Sequence, residues 1–155
     1  MTNDFIQFLS RGGIMNITAH DLDVAHAYKV VKFKNAIKEA LSKMEEMEKS
    51  FIAELKIDDP QGFDKRAEEL RKKESLTKDE QKELDEKNAI YKRLNDMRMA
   101  MYQEEANVET KTMPYEEWKK LQDENRDVKV GNAELLMAAE PLLENVLWKA
   151  PEEEC

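Results

Sequence analysis

Cysteine occurs once in this chain, as Cys155, so neither an intrachain disulfide nor a thiolate metal site can form within it. Glycine and proline number only four each. So few chain breakers argue against a loop-rich fold and favour long helices. No apolar stretch approaches membrane-spanning length, and the early run Phe5, Ile6, Phe8, Leu9 is cut short by Arg11 before it could act as a secretory signal. A soluble protein of a reducing cytoplasm is the expectation. The signature parts of common enzymes are missing too. There is no G-x-S-x-G, no Gly-rich phosphate loop, no Cys–His combination and no H-E-x-x-H, so nucleophilic, phosphoryl-transfer and zinc-hydrolase chemistries lack their components.

What the chain has in abundance is charge. Charged residues make up 38%, with 34 acidic against 25 basic and a formal net charge of -9. A surface of that sign repels phosphate backbones, which disfavours nucleic acid as a partner. Acidic and basic residues are interleaved along the chain, whereas a nucleic-acid mimic would carry a stripe of one sign.

Apolar residues recur at helical spacing in two long stretches. The first helix is expected to start near Asp21, with Thr18 or Asp21 as its cap, and carries Val30, Phe33, Ile37, Leu41, Met44, Met47, Phe51 and Leu55. Asp58-Asp59-Pro60-Gln61-Gly62 should end it, because proline lacks the backbone donor and restricts the residue before it. Phe63, Ala67 and Leu70 then predict a short helix that braces a hairpin. Thr77-Lys78-Asp79-Glu80 reads as a capping box that launches the second long helix, with Ile90, Leu94, Met97 and Met101 as its seam.

If the two seams face each other antiparallel, facing residue numbers have a constant sum. Phe33 with Met101, Ile37 with Met97, Leu41 with Leu94 and Met44 with Ile90 give 134 or 135, and the same register brings Lys29 to Glu105 and Glu48 to Lys87.

Around these stretches lie shorter features. Gly12-Gly13 breaks any helix and Met15-Asn16-Ile17-Thr18 resembles a fresh protein start, so residues 1–13 are expected to be an N-terminal extension outside the native domain. Residues 14–150 would form one helical domain, and 151–155 a disordered acidic tail. Val108-Glu109-Thr110-Lys111-Thr112 alternates and is β-branched, which allows one two-stranded β-ribbon with Ile14 to Thr18. Pro114 suits the first turn of a helix carrying Tyr115, Trp118 and Leu121. Asn132 would cap a last, strongly apolar helix that Pro141 breaks or kinks.

Three clusters could carry chemistry. His20, Asp21, Asp23 and His26 are metal-ligand types, but two His six residues apart do not share a helix face, so capping and surface roles are preferred. Lys29, Lys32, Lys34 and Lys38, with Tyr28 and Phe33 interleaved, make a basic patch that could contact RNA or a phosphate; the preferred reading is that Glu104 and Glu105 on the facing helix neutralise it and that the two aromatics belong to the core stripe. Met44, Met47, Met97, Met99 and Met101 could form an adaptable groove, with core filling the commoner role and Met99 falling beside the seam. No catalytic, cofactor or metal residue is assigned.

The most suggestive feature is the apolar C-terminal segment with Trp118. Once the hairpin face is occupied, its surplus leucine and tryptophan surface must cover the other side of the fold or meet another chain. The expected partner-binding residues are therefore Trp118, Leu136, Leu142, Leu143, Leu147 and Trp148, with the aromatics as anchors.

The order of features resembles that of small acidic helical proteins encoded in phages and prophages. The likeness rests on Ala27-Tyr28-Lys29-Val30-Val31-Lys32 opening a long helix, a polar middle, Glu104-Glu105-Ala106-Asn107-Val108-Glu109 closing a second one, and Ala139-Glu140-Pro141-Leu142-Leu143 near the end. The charged insertion around residues 72–87 departs from that pattern. The resemblance implies a viral protein made in a bacterial cytoplasm and brings no catalytic residues.

The combined expectation is a mainly α protein, built on a long antiparallel helical hairpin with short accessory helices. It would act non-catalytically, in assembly or by binding another protein or a second copy of itself. The alternatives are an inhibitor of a host defence protein acting through its acidic face and, more remotely, a small metal-dependent hydrolase.

Overall fold

The computed structural model describes residues 1–11, 13–106, 108 and 113–125. The chain is mainly helical over these residues, with α1 (Asn3–Arg11), a 3₁₀ turn (Ile14–Asn16), α2 (Val24–Glu54), α3 (Pro60–Lys72), α4 (Lys78–Gln103) and α5 (Tyr115–Glu124). It divides into two compact units, one made of Met1–Ser42 with the chain from Glu105 onward, the other of Lys43–Glu104. The 31-residue helix α2 contributes its first part to one unit and its last to the other.

In the Lys43–Glu104 unit, local chemistry sets each helix end. Lys56 adopts a left-handed backbone, φ 56°, just past α2. Its N–H bonds the Ala53 carbonyl and the Ile57 N–H bonds the Ile52 carbonyl, both at 3.1 Å, so two carbonyls that the helix end would orphan are satisfied. Asp59 then caps α3 by accepting from the Gly62 N–H at 3.1 Å, with Pro60 at the first helical position, where its missing donor costs nothing. A Cβ at Gly62 would collide with that capping carboxylate, which accounts for a glycine inside the first turn. Thr77 Oγ1 accepts from the Glu80 N–H at 3.2 Å, which forms the Thr77 half of the expected capping box.

Helices α3 and α4 run antiparallel. Moving back along α3 and forward along α4, Lys73 pairs with Glu80 at 2.8 Å, Arg66 grips both oxygens of Glu83 at 2.9 Å, and Phe63 meets Tyr91 edge to face with centroids 5.1 Å apart. Tyr91 also donates its hydroxyl proton to Asp64. Ala67 and Leu70 are fully buried, as the helical spacing predicts.

The charge register expected between α2 and α4 is corrected here. Glu48 does not meet Lys87: its carboxylate is held by Arg98, with Nε at 2.8 and 3.0 Å from the two oxygens. Lys87 instead sits over the Phe63 ring at 4.0 Å.

The other unit contains α1, whose Ile6 and Leu9 are 0% and 1% exposed, so the first residues contribute core side chains. Its chain start is tied to the segment after α4. The Ala106 N–H donates to the Met1 carbonyl at 2.8 Å, Thr2 and Glu105 form an antiparallel bridge, and the terminal ammonium of Met1 meets the Glu105 carboxylate. Glu105 therefore has a partner other than the expected Lys29, whose Nζ bonds His26 Nδ1 at 3.2 Å.

The expected ribbon strand at Ile14 to Thr18 is also corrected. Gly13 takes a left-handed conformation, φ 85°, and turns the chain directly into the 3₁₀ turn, closed by the Asn16 N–H on the Gly13 carbonyl at 2.9 Å. Among the described residues there is no strand. Residues 109–112 of the expected partner strand lie outside them.

A candidate interaction surface on α2

The start of α2 is held by acidic residues of α5. Neither Thr18 nor Asp21 caps the helix, which begins at Val24. The Asp23 carbonyl accepts from the His26 and Ala27 N–H groups, both at 2.9 Å. The preceding backbone donors go to α5 carboxylates, Asp21 N–H to Glu124 at 2.6 Å and Asp23 N–H to Glu117 at 3.1 Å. Negative charge at a helix start complements the partial positive charge of its exposed N–H groups.

Glu117 is buried, and Lys120 Nζ lies 2.7 Å from it. Hydrogen bonding to that ammonium, aided by the Asp23 N–H, holds the Glu117 carboxyl below its usual range and raises Lys120 in return. The end of α5 is fixed just as closely. Thr18 N–H donates to Asn125 Oδ1 at 2.9 Å while Asn125 Nδ2 donates back to the Thr18 carbonyl at 2.8 Å. Lys34 closes the other side with a 2.6 Å bond to the Ile17 carbonyl.

From this anchor α2 presents two apolar stripes. Val30, Phe33, Ile37 and Ala40, spaced by three and four residues, are buried. Val24, Tyr28 and Val31, also spaced by four and three, lie on roughly the opposite face and are 86%, 59% and 49% exposed. Lys32 holds its ammonium 5.4 Å from the Tyr28 ring centre, so cation and ring form one patch. Single exposed apolar residues are ordinary, but three in register on one helix, flanked by lysines, make a surface that can bury another helix. Phe33 lies in the core stripe as expected, but Tyr28, expected there with it, is on the exposed face, and the expectation placed contact at the other end of the chain.

Of the residues expected to bind a partner, Trp118 lies on α5, in the same unit as this stripe, and its side chain lies outside the description. Leu136, Leu142, Leu143, Leu147 and Trp148 are likewise outside the described residues. Met99, expected beside the seam, is 52% exposed on α4. Among the described residues no three His, Cys, Asp or Glu side chains converge as a metal site would require, and no helix is long and apolar enough to cross a membrane. His20 and Asp21 point to solvent, while His26 is engaged with Lys29.

No protein-family model, curated protein or solved structure matches this chain.

Proposed function

We propose that this is a non-catalytic interaction or assembly protein, encoded by a phage or prophage and acting in the bacterial cytoplasm, which binds another protein or a second copy of itself. The observation that carries the reading is the exposed Val24, Tyr28 and Val31 stripe on an otherwise charged helical chain. The apolar C-terminal residues Leu136, Leu142, Leu143, Leu147 and Trp148, with Trp118, supply the remaining contact surface and its aromatic anchors. A long antiparallel hairpin of α2 and α4 belongs to the same reading, supported by the Glu48–Arg98 pair and the α3–α4 pairings. Such helices are rigid carriers for a stripe.

The test compares three chains at equal helicity: the intact one, one ending at Asn132, and one carrying Val24→Glu with Val31→Glu. Association is read by light scattering across a concentration series and by binding to proteins cross-linked in the host. Association that persists at high salt in the intact chain and fails in both variants supports apolar docking. Association that weakens steeply with ionic strength and survives both changes would instead favour the acidic-face inhibitor.

A further inference from the structure

The stripe on α2 fits one kind of partner best, and we infer that it is an amphipathic helix of another protein whose apolar residues are flanked by Asp or Glu. The inference rests on reading the stripe as an interaction surface and names the chemistry of what it takes.

The charges beside the stripe carry it. Residues 24–38 contain Lys29, Lys32, Lys34 and Lys38 and no acidic residue, in a chain whose formal net charge is -9. Elsewhere cations are answered within the chain, Arg66 by Glu83, Lys73 by Glu80, Arg98 by Glu48 and Lys120 by Glu117. Lys29 and Lys34 are engaged too, with His26 and with the Ile17 carbonyl. Lys32 and Lys38 differ. Both are exposed, and among the described residues no carboxylate pairs with either. Glu105, expected to neutralise this patch, is taken by the Met1 ammonium.

Their placement ties these two lysines to the stripe. Lys32 follows Tyr28 by four residues and holds its cation against that ring, while Lys38 follows Val31 by seven, two turns along the same face. A docked chain that buries Val24, Tyr28 and Val31 therefore brings its own flanking residues up to two ammonium groups. A helix suits the stripe, because apolar residues at spacings of four and three interlock with the same spacing on a second helix. Carboxylates on its rim complement the lysines, whereas lysines there would repel them. The rim charges choose the partner and speed the encounter, and the apolar centre holds it, so association outlasts added salt.

Other occupants fit less well. A second copy meeting stripe to stripe adds four further lysines from its own residues 24–38 and no carboxylate. RNA phosphates give the two valines nothing apolar to bury against, and both RNA and an anionic bilayer face the chain's net negative charge. The stripe is one part of the proposed contact, so losing it and losing the C-terminal residues each weaken association.

A displayed library of helical peptides tests the inference, each with leucines at spacings of four and three and every flanking position drawn equally from Glu, Lys and Gln. Selection on the intact chain should enrich Glu over Lys at the flanks by about tenfold. On the Lys32→Glu, Lys38→Glu chain, altered only at exposed positions, the preference should invert to Lys with helicity unchanged. Peptides selected on the intact chain should shift its amide signals from Val24 to Lys38 and should lose binding to the Val24→Glu, Val31→Glu chain. Three outcomes overturn the inference: Glu and Lys enriched alike, selected peptides that bind the Val24→Glu, Val31→Glu chain as well as the intact one, or shifts at Val24 to Lys38 caused by phosphatidylserine vesicles or polyuridylate where the peptides cause none. Association of the intact chain is measured separately. A stripe that mediates association yet shows no preference for Glu leaves the functional reading standing and removes only the partner's chemistry.

Discussion

The backbone N–H of Asp23 donates to the side chain of Glu117, 94 residues further along the chain, at 3.1 Å. One carboxylate thereby anchors the start of α2 and, through Lys120, the middle of α5. Its charge has a defined pH consequence. The folded-state pKa is lowered, so the stabilisation is present above the ordinary carboxylate value of 4.5 and is lost as pH falls through the lower folded value. Thermal unfolding followed from pH 7 downward should show the intact chain above Glu117→Gln at neutral pH, with the gap closing below about pH 4.5. A gap that does not change with pH would mean the charge contributes nothing.

Glu48 on α2 and Arg98 on α4 pair within their unit. Both are partly exposed, so their coupling should be about 1 kcal/mol or less after solvent screening. A double-mutant cycle between these two should return that value, and the chain carrying Glu48→Arg with Arg98→Glu should recover most of the loss from either single change. The same cycle run between Glu48 and Lys87 should give none.

Tyr91 should titrate late. Burial, with the hydroxyl donated to Asp64 beside it, pushes its pKa up from 10.0 to about 12. Because the folded value is the higher one, the stability it contributes is complete below pH 10 and disappears as pH rises toward 12. Tyrosinate absorbance of the intact chain minus that of Tyr91→Phe should isolate this late transition, and unfolding by denaturant at pH 9 and at pH 11.5 should show the predicted loss only in the intact chain.

Lys56 occupies a left-handed position that glycine fills more easily. The side chain costs about 1–2 kcal/mol there, partly offset by the greater unfolded-state freedom of glycine. Lys56→Gly should therefore raise stability by about 1 kcal/mol, measured as a shift in denaturation midpoint at unchanged slope.

Leu9 is all but inaccessible in α1. Truncating it to alanine removes buried surface and leaves a cavity, so Leu9→Ala should cost about 2–5 kcal/mol. Deleting residues 1–13 should cost more, since Ile6 goes too. A deletion that left the melting temperature unchanged would restore the view of this segment as a dispensable extension.

How far the fold could be read in the sequence depended on the range of the interaction. The Thr77 cap of α4, the Pro60 start of α3, the Tyr115 start of α5 and the burial of Ala67, Leu70, Phe33 and Ile37 follow from residues a turn or two apart. The candidate surface was not read from the sequence, where Tyr28 was grouped with Phe33 in the core stripe. One misreading had a local cause: the strand expected at Ile14 to Thr18 yielded to the left-handed Gly13 and its 3₁₀ turn.

By itself the sequence determined a mainly helical, acidic protein, where α3 and α4 begin, and which face of α2 and α3 is buried, because those properties arise from capping groups and a 3.6-residue period within one segment. Tertiary structure alone decided that Glu48 meets Arg98, that Glu117 serves the start of α2, and that α1 supplies core. A helical period repeats every turn, so it does not say which turn of one helix faces which turn of another. Contacts between residues about a hundred positions apart exist only once the chain has folded.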